Sequence, residues 1–249
     1  MTKKDVDKIV EFIKTYFEAN PYCKGAVVGM SGGKDSLIVA KLCTLALGKE
    51  KVFGVIMPNG NMADIDDAIS SCKLLGINYS TVNIKPIYDS TINSVESILN
   101  DNGFKLNSVS TINTAPRIRM TVLYAIAGSM NYLVANTSNL SEAMVGYTTK
   151  WGDNVGDFAP IIDFTKTEVC EIGLLLGLPE NLVNKAPSDG LSGDTDENKM
   201  GLKYHHLDEL IRTGKHNEDY EQIIKLHKSS HHKRIGIAKY KTEMKNYLD

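Results

Sequence analysis

The sequence predicts an α/β fold, a doubly wound central parallel sheet flanked by helices, followed by a helical C-terminal part. Short apolar runs of strand length alternate with longer segments of helical period over residues 25–136. Strands that alternate with helices in this way form βαβ units, whose strands run parallel and whose helices cover the sheet. The last third of the chain has helical period and ends in a basic tract at 225–241.

The predicted elements follow one another along the chain. An amphipathic pattern predicts a first helix at 1–17. Apolar runs predict strands at 25–30, 52–57, 79–84 and 132–136, and helical period predicts helices at 37–47, 63–76, 87–99, 115–131 and 165–179. Thr165 and Glu168 have the spacing of a capping box at the start of the last of these helices. The stretch 184–200 is the least structured, and its length indicates a functional lid or disorder, of which we favour a lid.

The composition is typical of a globular metabolic protein. Hydrophobic residues make up 42% of the 249 residues, which suits one large domain or two small ones; of these we expect a single domain spanning 1–249. A net charge of -2 gives no reason to expect nucleic acid as a main partner. The N-terminus lacks the apolar core of a signal peptide and no apolar run has the length of a membrane span, so we expect no membrane association and a cytoplasmic location. The four cysteines occur singly and support neither a thiolate zinc site nor a redox pair.

A glycine-rich turn, VVGMSGGKDS at 27–36, joins the first predicted strand to its helix. Backbone N–H groups in such a turn, together with the positive end of the helix, form an anion site. The spacing excludes a Walker A loop, because Lys34 is followed by Asp35, and it excludes the dinucleotide fingerprint G-x-G-x-x-G. A carboxylate would repel bare phosphate, so Asp35 makes sense as a ligand for Mg²⁺ that bridges the phosphates.

A second candidate segment, TSNLSE at 137–142, directly follows the predicted strand at 132–136. Open α/β proteins bind their ligands at the carboxyl ends of the strands. In this position the Thr137 hydroxyl could contact a nucleotide, and Glu142 could be a second metal ligand.

The loop S-G-G-x-D-S resembles that of the ATP pyrophosphatases, which cleave ATP between the α and β phosphates. The later motifs resemble, in order, those of the ammonia-dependent NAD synthetases: RIRM (117–120), TSNLSE (137–142), GYTTKWGDNVGDFAPI (146–161), TKTEV (165–169), LPENLVNKAPSDGL (178–191), GDTDE (193–197) and HKR (232–234). The resemblance implies an adenine nucleotide alpha hydrolase-like fold and amidation of nicotinic acid adenine dinucleotide by ammonia through an acyl adenylate. It also implies ATP as co-substrate, Mg²⁺ as cofactor and a homodimer whose dinucleotide site crosses the interface.

The same resemblance implies a set of site residues. ATP would be bound by Gly29, Met30, Ser31, Gly32, Gly33, Lys34, Asp35, Ser36, Thr137, Lys166 and Ser188. The dinucleotide would be bound by Arg117, Lys150, Asp157, His232 and Lys233, and Mg²⁺ by Asp35 and Glu142. The catalytic candidates are Asp35, Lys166, Ser188 and Asp153. Lys166 would stabilise charge on the phosphoryl group, and Asp153 is a candidate for positioning or deprotonating ammonium.

Two segments depart from the family pattern. NTAPRIR at 113–119 lacks the basic residue that the family has two positions before the first arginine, and the tail 235–249 lacks the usual proline-containing, aromatic-tipped sequence. Trp151 either packs against the protein or stacks on a ring of the substrate.

Two alternative functions differ in class from a synthetase. A tRNA-modifying ATP pyrophosphatase also carries the loop, but the near-neutral charge speaks against a tRNA partner. A non-catalytic nucleotide-binding protein would have little reason to keep Asp35, Glu142 and Lys166 together. No glutaminase module is expected within 1–249, so free ammonia is the expected nitrogen donor.

Overall fold

Four parallel strands form the central sheet of the structure, a computed structural model that describes residues 1–61, 64–185 and 195–240. The strands are β1 (Gly25–Gly29), β2 (Val52–Ile56), β3 (Asn78–Thr81) and β4 (Tyr132–Val134), in the order β3-β2-β1-β4. The chain adds two strands on one side of β1 and then crosses to the other side to form β4. A switch point of this kind opens a crevice at the carboxyl ends of β1 and β4, where open α/β proteins bind ligands.

The described residues form twelve α-helices around this sheet. Their bounds are α1 (Lys3–Glu18), α2 (Lys34–Leu47), α3 (Ile65–Leu75), α4 (Lys85–Asp101), α5 (Ser108–Met130), α6 (Leu140–Val145), α7 (Lys166–Leu175), α8 (Glu180–Val183), α9 (Asp196–Met200), α10 (Tyr204–Thr213), α11 (Tyr220–Ser229) and α12 (His231–Arg234). None of the described helices is both long enough and apolar enough to cross a membrane.

The two faces of the sheet carry separate hydrophobic cores. Side chains alternate along β1, so Ala26 and Val28 join the cluster formed with α1, α2 and α7, whereas Val27 joins the cluster formed with α5. Each of these three β1 residues is fully buried. Helices therefore cover both faces, and the predicted doubly wound fold is confirmed.

A third cluster holds the C-terminal helices together. Its buried members are Val145, Met200, Leu202, Tyr204, Leu207 and Ile223, which come from α6 and from the chain between α9 and α11. The predicted helical C-terminal part is confirmed, and α10 packs against both α6 and α7 beside the sheet.

Helix α5 begins earlier than its hydrophobic period predicts. Its first turn is capped by Asn107, whose Oδ1 accepts the N–H of Ser110 at 2.8 Å, so the polar residues from 108 onwards are helical. The stretch 184–200 is also more structured than the sequence predicts, because α9 occupies its last five residues. Residues 186–194 of the predicted lid, which include Ser188, lie outside the described residues, so the lid stays a prediction.

Candidate active site

The glycine-rich loop runs from the end of β1 at Gly29 to the start of α2 at Lys34. Gly32 has φ +81, and a Cβ at this position would lie 2.5 Å from the Asp64 carbonyl oxygen, so only glycine fits. Ser36 Oγ donates to the Gly33 carbonyl at 2.9 Å, and the Gly33 N–H donates to Ser31 Oγ at 3.2 Å. Gly33 offers no side chain to cap α2, which leaves the first-turn N–H groups to bind an anion.

Lys166 joins the loop to the segment that follows β4. Its Nζ lies 2.8 Å from Asp35 Oδ2 and 2.6 Å from Glu142 Oε1. The Lys166 side chain is only 6% exposed, and the two carboxylates are 19% and 16% exposed. Three residues distant in sequence therefore form one buried charged cluster, and the prediction had assigned all three to the site.

The cluster shifts the ionisation of its members. Burial lowers the pKa of Lys166, but Asp35 and Glu142 outweigh burial and raise that pKa well above its ordinary value. Burial raises the pKa of Glu142, and the Lys166 charge opposes this shift. The Lys166 ammonium is thus the counter-ion of the two carboxylates.

Helix caps place Glu142 and Lys166. Asn139 Oδ1 accepts the N–H of Glu142 at 3.0 Å and so begins α6 directly after β4. Thr165 and Glu168 form the predicted capping box, which begins α7 at Lys166. Thr137 lies half-buried between β4 and α6, next to this cluster along the chain.

Helix α10 contributes residues to this cluster that sequence reasoning missed. Asp208 accepts hydrogen bonds from Ser141 Oγ at 2.5 Å and from the Thr167 N–H at 2.8 Å. The ring centroid of Tyr204 lies 5.3 Å from Lys166 Nζ, and burial raises the pKa of this tyrosine. No local motif marks either residue, because their partners lie far away in sequence; only the amphipathic period of α10 could have indicated that they are buried.

Four of the five residues predicted for the second substrate contact the loop 146–156 or belong to it. Arg117 Nε donates to the Lys150 carbonyl at 3.1 Å, and Lys150 Nζ donates to the His232 carbonyl at 2.8 Å. Lys233 Nζ donates to the carbonyls of Gly146 and Thr148 at 2.7 and 2.6 Å, and burial lowers its pKa. The structure thus brings Arg117, Lys150, His232 and Lys233 together.

A cavity of about 180 Å³ opens among these groups, lined by Lys150, Trp151, Asn154, Lys233 and Arg234 with three further residues. Trp151 has φ +65, an unusual conformation for a non-glycine residue, and its side chain is half exposed. Lys150 Nζ lies 5.3 Å from the Trp151 ring centroid. The side chain therefore stands at the cavity rather than inside a core.

The two predicted loop aspartates make different contacts. Asp153 Oδ1 accepts the Thr149 N–H at 2.7 Å, and burial raises the pKa of Asp153. Asp157 accepts the N–H of Val134 at 2.7 Å and the hydroxyl of Tyr124 at 3.3 Å. Asp157 thus ties its loop to β4, and both roles predicted for these aspartates stay predictions.

The family model described as NAD synthase matches residues 5–247. The NH(3)-dependent NAD(+) synthetase of Thermococcus sibiricus is 47% identical over 209 residues, which are 84% of this chain and 79% of the relative.

Two solved structures are similar over nearly their whole length. The NMN synthetase of Francisella tularensis is 33% identical with a TM-score of 0.87, covering 96% of this chain and 98% of that protein. The NH3-dependent NAD synthetase of Campylobacter jejuni, in complex with a nitrate ion, is 32% identical with a TM-score of 0.77, covering 97% and 100%.

Proposed function

The chain belongs to the NAD synthase family and is a ligase that forms a carbon–nitrogen bond, and we propose that the site at the carboxyl ends of β1 and β4 carries its reaction. The reaction is the amidation of nicotinic acid adenine dinucleotide by ammonia, with ATP cleaved to AMP and pyrophosphate. The observation that supports this site best is the Lys166 ammonium held between Asp35 and Glu142, beside the glycine-rich loop.

ATP binds with its phosphates on the loop 29–36 and the N-terminus of α2. The free N–H groups of the first turn and the hydroxyl of Ser31 supply donors for phosphate oxygens, while the hydroxyl of Ser36 donates to the Gly33 carbonyl and so shapes the loop. The nicotinate carboxylate attacks the α-phosphorus, and ammonia then displaces AMP from the acyl adenylate. Lys166 stabilises the negative charge that develops on the transferred group, as preorganised cations do in buried sites.

The residues of this site fit a divalent cation. Asp35 Oδ1 is buried and has no hydrogen-bond partner among the described residues, and the Glu142 carboxylate contacts the same Lys166 ammonium at 2.6 Å. No cluster of three or more protein ligands occurs within the described ranges, so phosphate oxygens and water would complete the shell. Mg²⁺ bound by Asp35 and Glu142 would neutralise the charge of the leaving pyrophosphate.

The second substrate binds on the side of Arg117, Lys150 and Lys233. Lys150 and Lys233 line the cavity beside Trp151, and Lys150 also contacts Arg117 and the His232 carbonyl. Cations suit the pyrophosphate of a dinucleotide. Asp153, buried in the adjoining loop, is proposed to position ammonium, and Asp157 is proposed to contact the dinucleotide.

A second candidate function is the amidation of the mononucleotide. The Francisella tularensis NMN synthetase shares the fold of this chain with a TM-score of 0.87, which exceeds the 0.77 of the Campylobacter jejuni NAD synthetase. Fold likeness alone does not select a substrate, because binding residues set specificity.

One assay tests both candidates. The purified protein is incubated with ATP, Mg²⁺ and ammonium, together with either nicotinic acid adenine dinucleotide or nicotinic acid mononucleotide. We expect AMP and NAD in equal amounts from the dinucleotide and much slower turnover of the mononucleotide. Formation of ADP, or turnover only after tRNA is added, would contradict the proposal; faster turnover of the mononucleotide would favour the second candidate.

We also propose a cytoplasmic homodimer. Helix α4 has no buried residue among its 17, and Ile98 on α4 and Ile112 on α5 are 63% and 66% exposed. With Ile87, Val95, Phe104 and Val109 these residues form an exposed apolar surface, which we call the α4–α5 face. Exposed apolar side chains on two helices that pack side by side favour an interface, and the four free thiols suit a reducing compartment.

A further inference from the structure

A buried carboxylate on α10 binds the two helices that carry Glu142 and Lys166. Asp208 is 6% exposed, and its Oδ1 accepts the hydroxyl of Ser141 at 2.5 Å. Its Oδ2 accepts both the N–H of Thr167 at 2.8 Å and the hydroxyl of Thr167 at 2.6 Å. One carboxylate therefore contacts the first turns of α6 and α7 at the same time.

The partners of Asp208 are the sequence neighbours of the charged cluster. Ser141 immediately precedes Glu142, and Thr167 immediately follows Lys166. Ser141 Oγ also accepts the backbone N–H of Lys166 at 2.8 Å, which leaves its hydroxyl proton to donate to Asp208. The hydrogen bonds thus run without a break from Asp208 through Ser141 to the backbone of Lys166.

The same helix also reaches the far end of the Lys166 side chain. Tyr204 lies one turn before Asp208 on α10, and its ring centroid is 5.3 Å from Lys166 Nζ. Residues four apart share one face of a helix, so α10 reaches the Lys166 backbone through Asp208 and Ser141, and it lies near the Lys166 ammonium through Tyr204.

We propose that Asp208 is a positioning residue of the amidation reaction. It fixes α6 against α7, and it thereby holds Glu142 and Lys166 at the separation that the reacting phosphates require. The inference rests on the proposed site. Misplacement of a catalytic group by about 1 Å can cost on the order of 10²-fold in rate, so a residue that contacts no substrate can still control turnover.

The variant Asp208→Asn tests this role. An amide presents one acceptor oxygen, so either Ser141 or Thr167 loses its acceptor while the volume of the side chain is kept. We expect kcat to fall roughly 10-fold or more, with the KM for the dinucleotide changed by less than about 2-fold, since only the geometry of the reacting groups is affected. Rates are measured well below the unfolding temperature of each variant, which is followed by circular dichroism.

A matched control separates positioning from stability. Glu168 caps the same helix α7, and its side-chain hydrogen bonds within the described part of the chain are to Thr165 and Arg212 rather than to Ser141 or Lys166. Glu168→Gln should lower the unfolding temperature and leave kcat within about 2-fold of wild type. If Asp208→Asn is folded and also keeps kcat within this range, the inference is wrong.

The variant Ser141→Ala supplies a second route to the same question. It removes the link between Asp208 and the Lys166 backbone without altering a charge, so it remains informative where Asp208→Asn does not fold. We expect Ser141→Ala to lower kcat, and the double variant to be no slower than the slower single variant, because both act through one chain of hydrogen bonds.

Additive losses in a folded double variant, or an unchanged kcat in Ser141→Ala, would overturn the inference. Failure of the wild-type protein to form NAD would instead overturn the proposed function, so the two failures are distinguishable.

Discussion

Lys166 shows how a single residue combines electrostatic and positional demands. Its side chain is almost fully buried, which alone would favour the neutral amine, yet Asp35 and Glu142 at hydrogen-bond distance keep the pKa of Lys166 well above its ordinary value. Loss of the ammonium would leave two buried carboxylates without their counter-ion, which is costly. Asp35 and Glu142 could be predicted from the glycine-rich loop and from the segment after a strand, whereas the family resemblance alone indicated Lys166.

Lys166→Met should therefore lower kcat by about 10²-fold or more, because it removes a preorganised cation from the reacting phosphate. The variant should also bind the dinucleotide with nearly unchanged affinity. Steady-state kinetics and calorimetric titration measure the two effects. Lys73→Met, on the exposed side of α3, is the control and should behave as wild type. Equal activity of Lys166→Met and the control would remove Lys166 from the catalytic role.

A buried thiol gives a prediction for pH. Burial raises the pKa of Cys43 on α2 from 9.0 to about 12, so the folded state holds this proton above pH 9 and the unfolded state loses it. The free energy of unfolding then falls with rising pH, by about 1.4 kcal/mol per pH unit for this group between pH 9 and pH 11. Denaturant unfolding of wild type and Cys43→Ala measures the difference: the variant should be less stable at pH 7 and show the shallower decline. If the free energy of unfolding declines with pH equally steeply in both proteins, the raised pKa of Cys43 is contradicted.

At the scale of elements, the loop between β1 and α2 depends on backbone conformation more than on side chains. Residue order alone predicted an anion loop and Asp35 as a metal ligand, and the metal-ligand role stays a prediction. The sequence could not reveal that Gly32 lies against the backbone of Asp64, because that contact depends on how α3 packs beside the loop. The sequence did not predict Asp208 and Tyr204 for the same reason. Both reach the site because α10 packs on α6 and α7, and no local motif marks this tertiary contact.

Gly32→Ala tests the loop as an element. The new methyl group would meet the Asp64 carbonyl at 2.5 Å in a left-handed conformation, so we expect about 1–3 kcal/mol of destabilisation and a marked loss of ATP affinity. Gly128→Ala on α5 is the matched control, since nothing lies within 4 Å of its added Cβ, and it should stabilise the protein by about 0.5–1 kcal/mol. Urea unfolding and calorimetric ATP titration check both variants. Retained ATP affinity in Gly32→Ala would show that the loop is not the phosphate site.

For the molecule as a whole, alternation of strands and helices predicted the parallel sheet and its two covered faces. The first and last residues of the helices were harder to predict from the sequence. Helix α5 starts at Ser108 because Asn107 caps its first turn. That turn is polar, so the hydrophobic period of the sequence gives no sign of it. The sequence also could not predict the α4–α5 face. Its exposed apolar residues become neighbours only because α4 packs beside α5.

The proposed homodimer predicts the behaviour of this face. Ile98→Asp and Ile112→Asp place charges on the apolar surface, so we expect both variants to be monomers by light scattering coupled to size exclusion. Leu74→Asp is the control, because Leu74 is 50% exposed on α3, away from this face, and it should leave the mass unchanged. A monomeric wild-type protein would exclude the dimer. Variants that remain dimers would show that the interface lies on another surface.

The acyl adenylate is tested most directly by following one oxygen atom. Nicotinic acid adenine dinucleotide labelled with ¹⁸O in its nicotinate carboxylate is converted in the presence of ATP, Mg²⁺ and ammonium, and the products are analysed by mass spectrometry. Attack of the carboxylate on the α-phosphorus predicts that a single labelled oxygen leaves with AMP and that pyrophosphate carries none. Unlabelled AMP, or labelled inorganic phosphate formed together with ADP, would contradict the account.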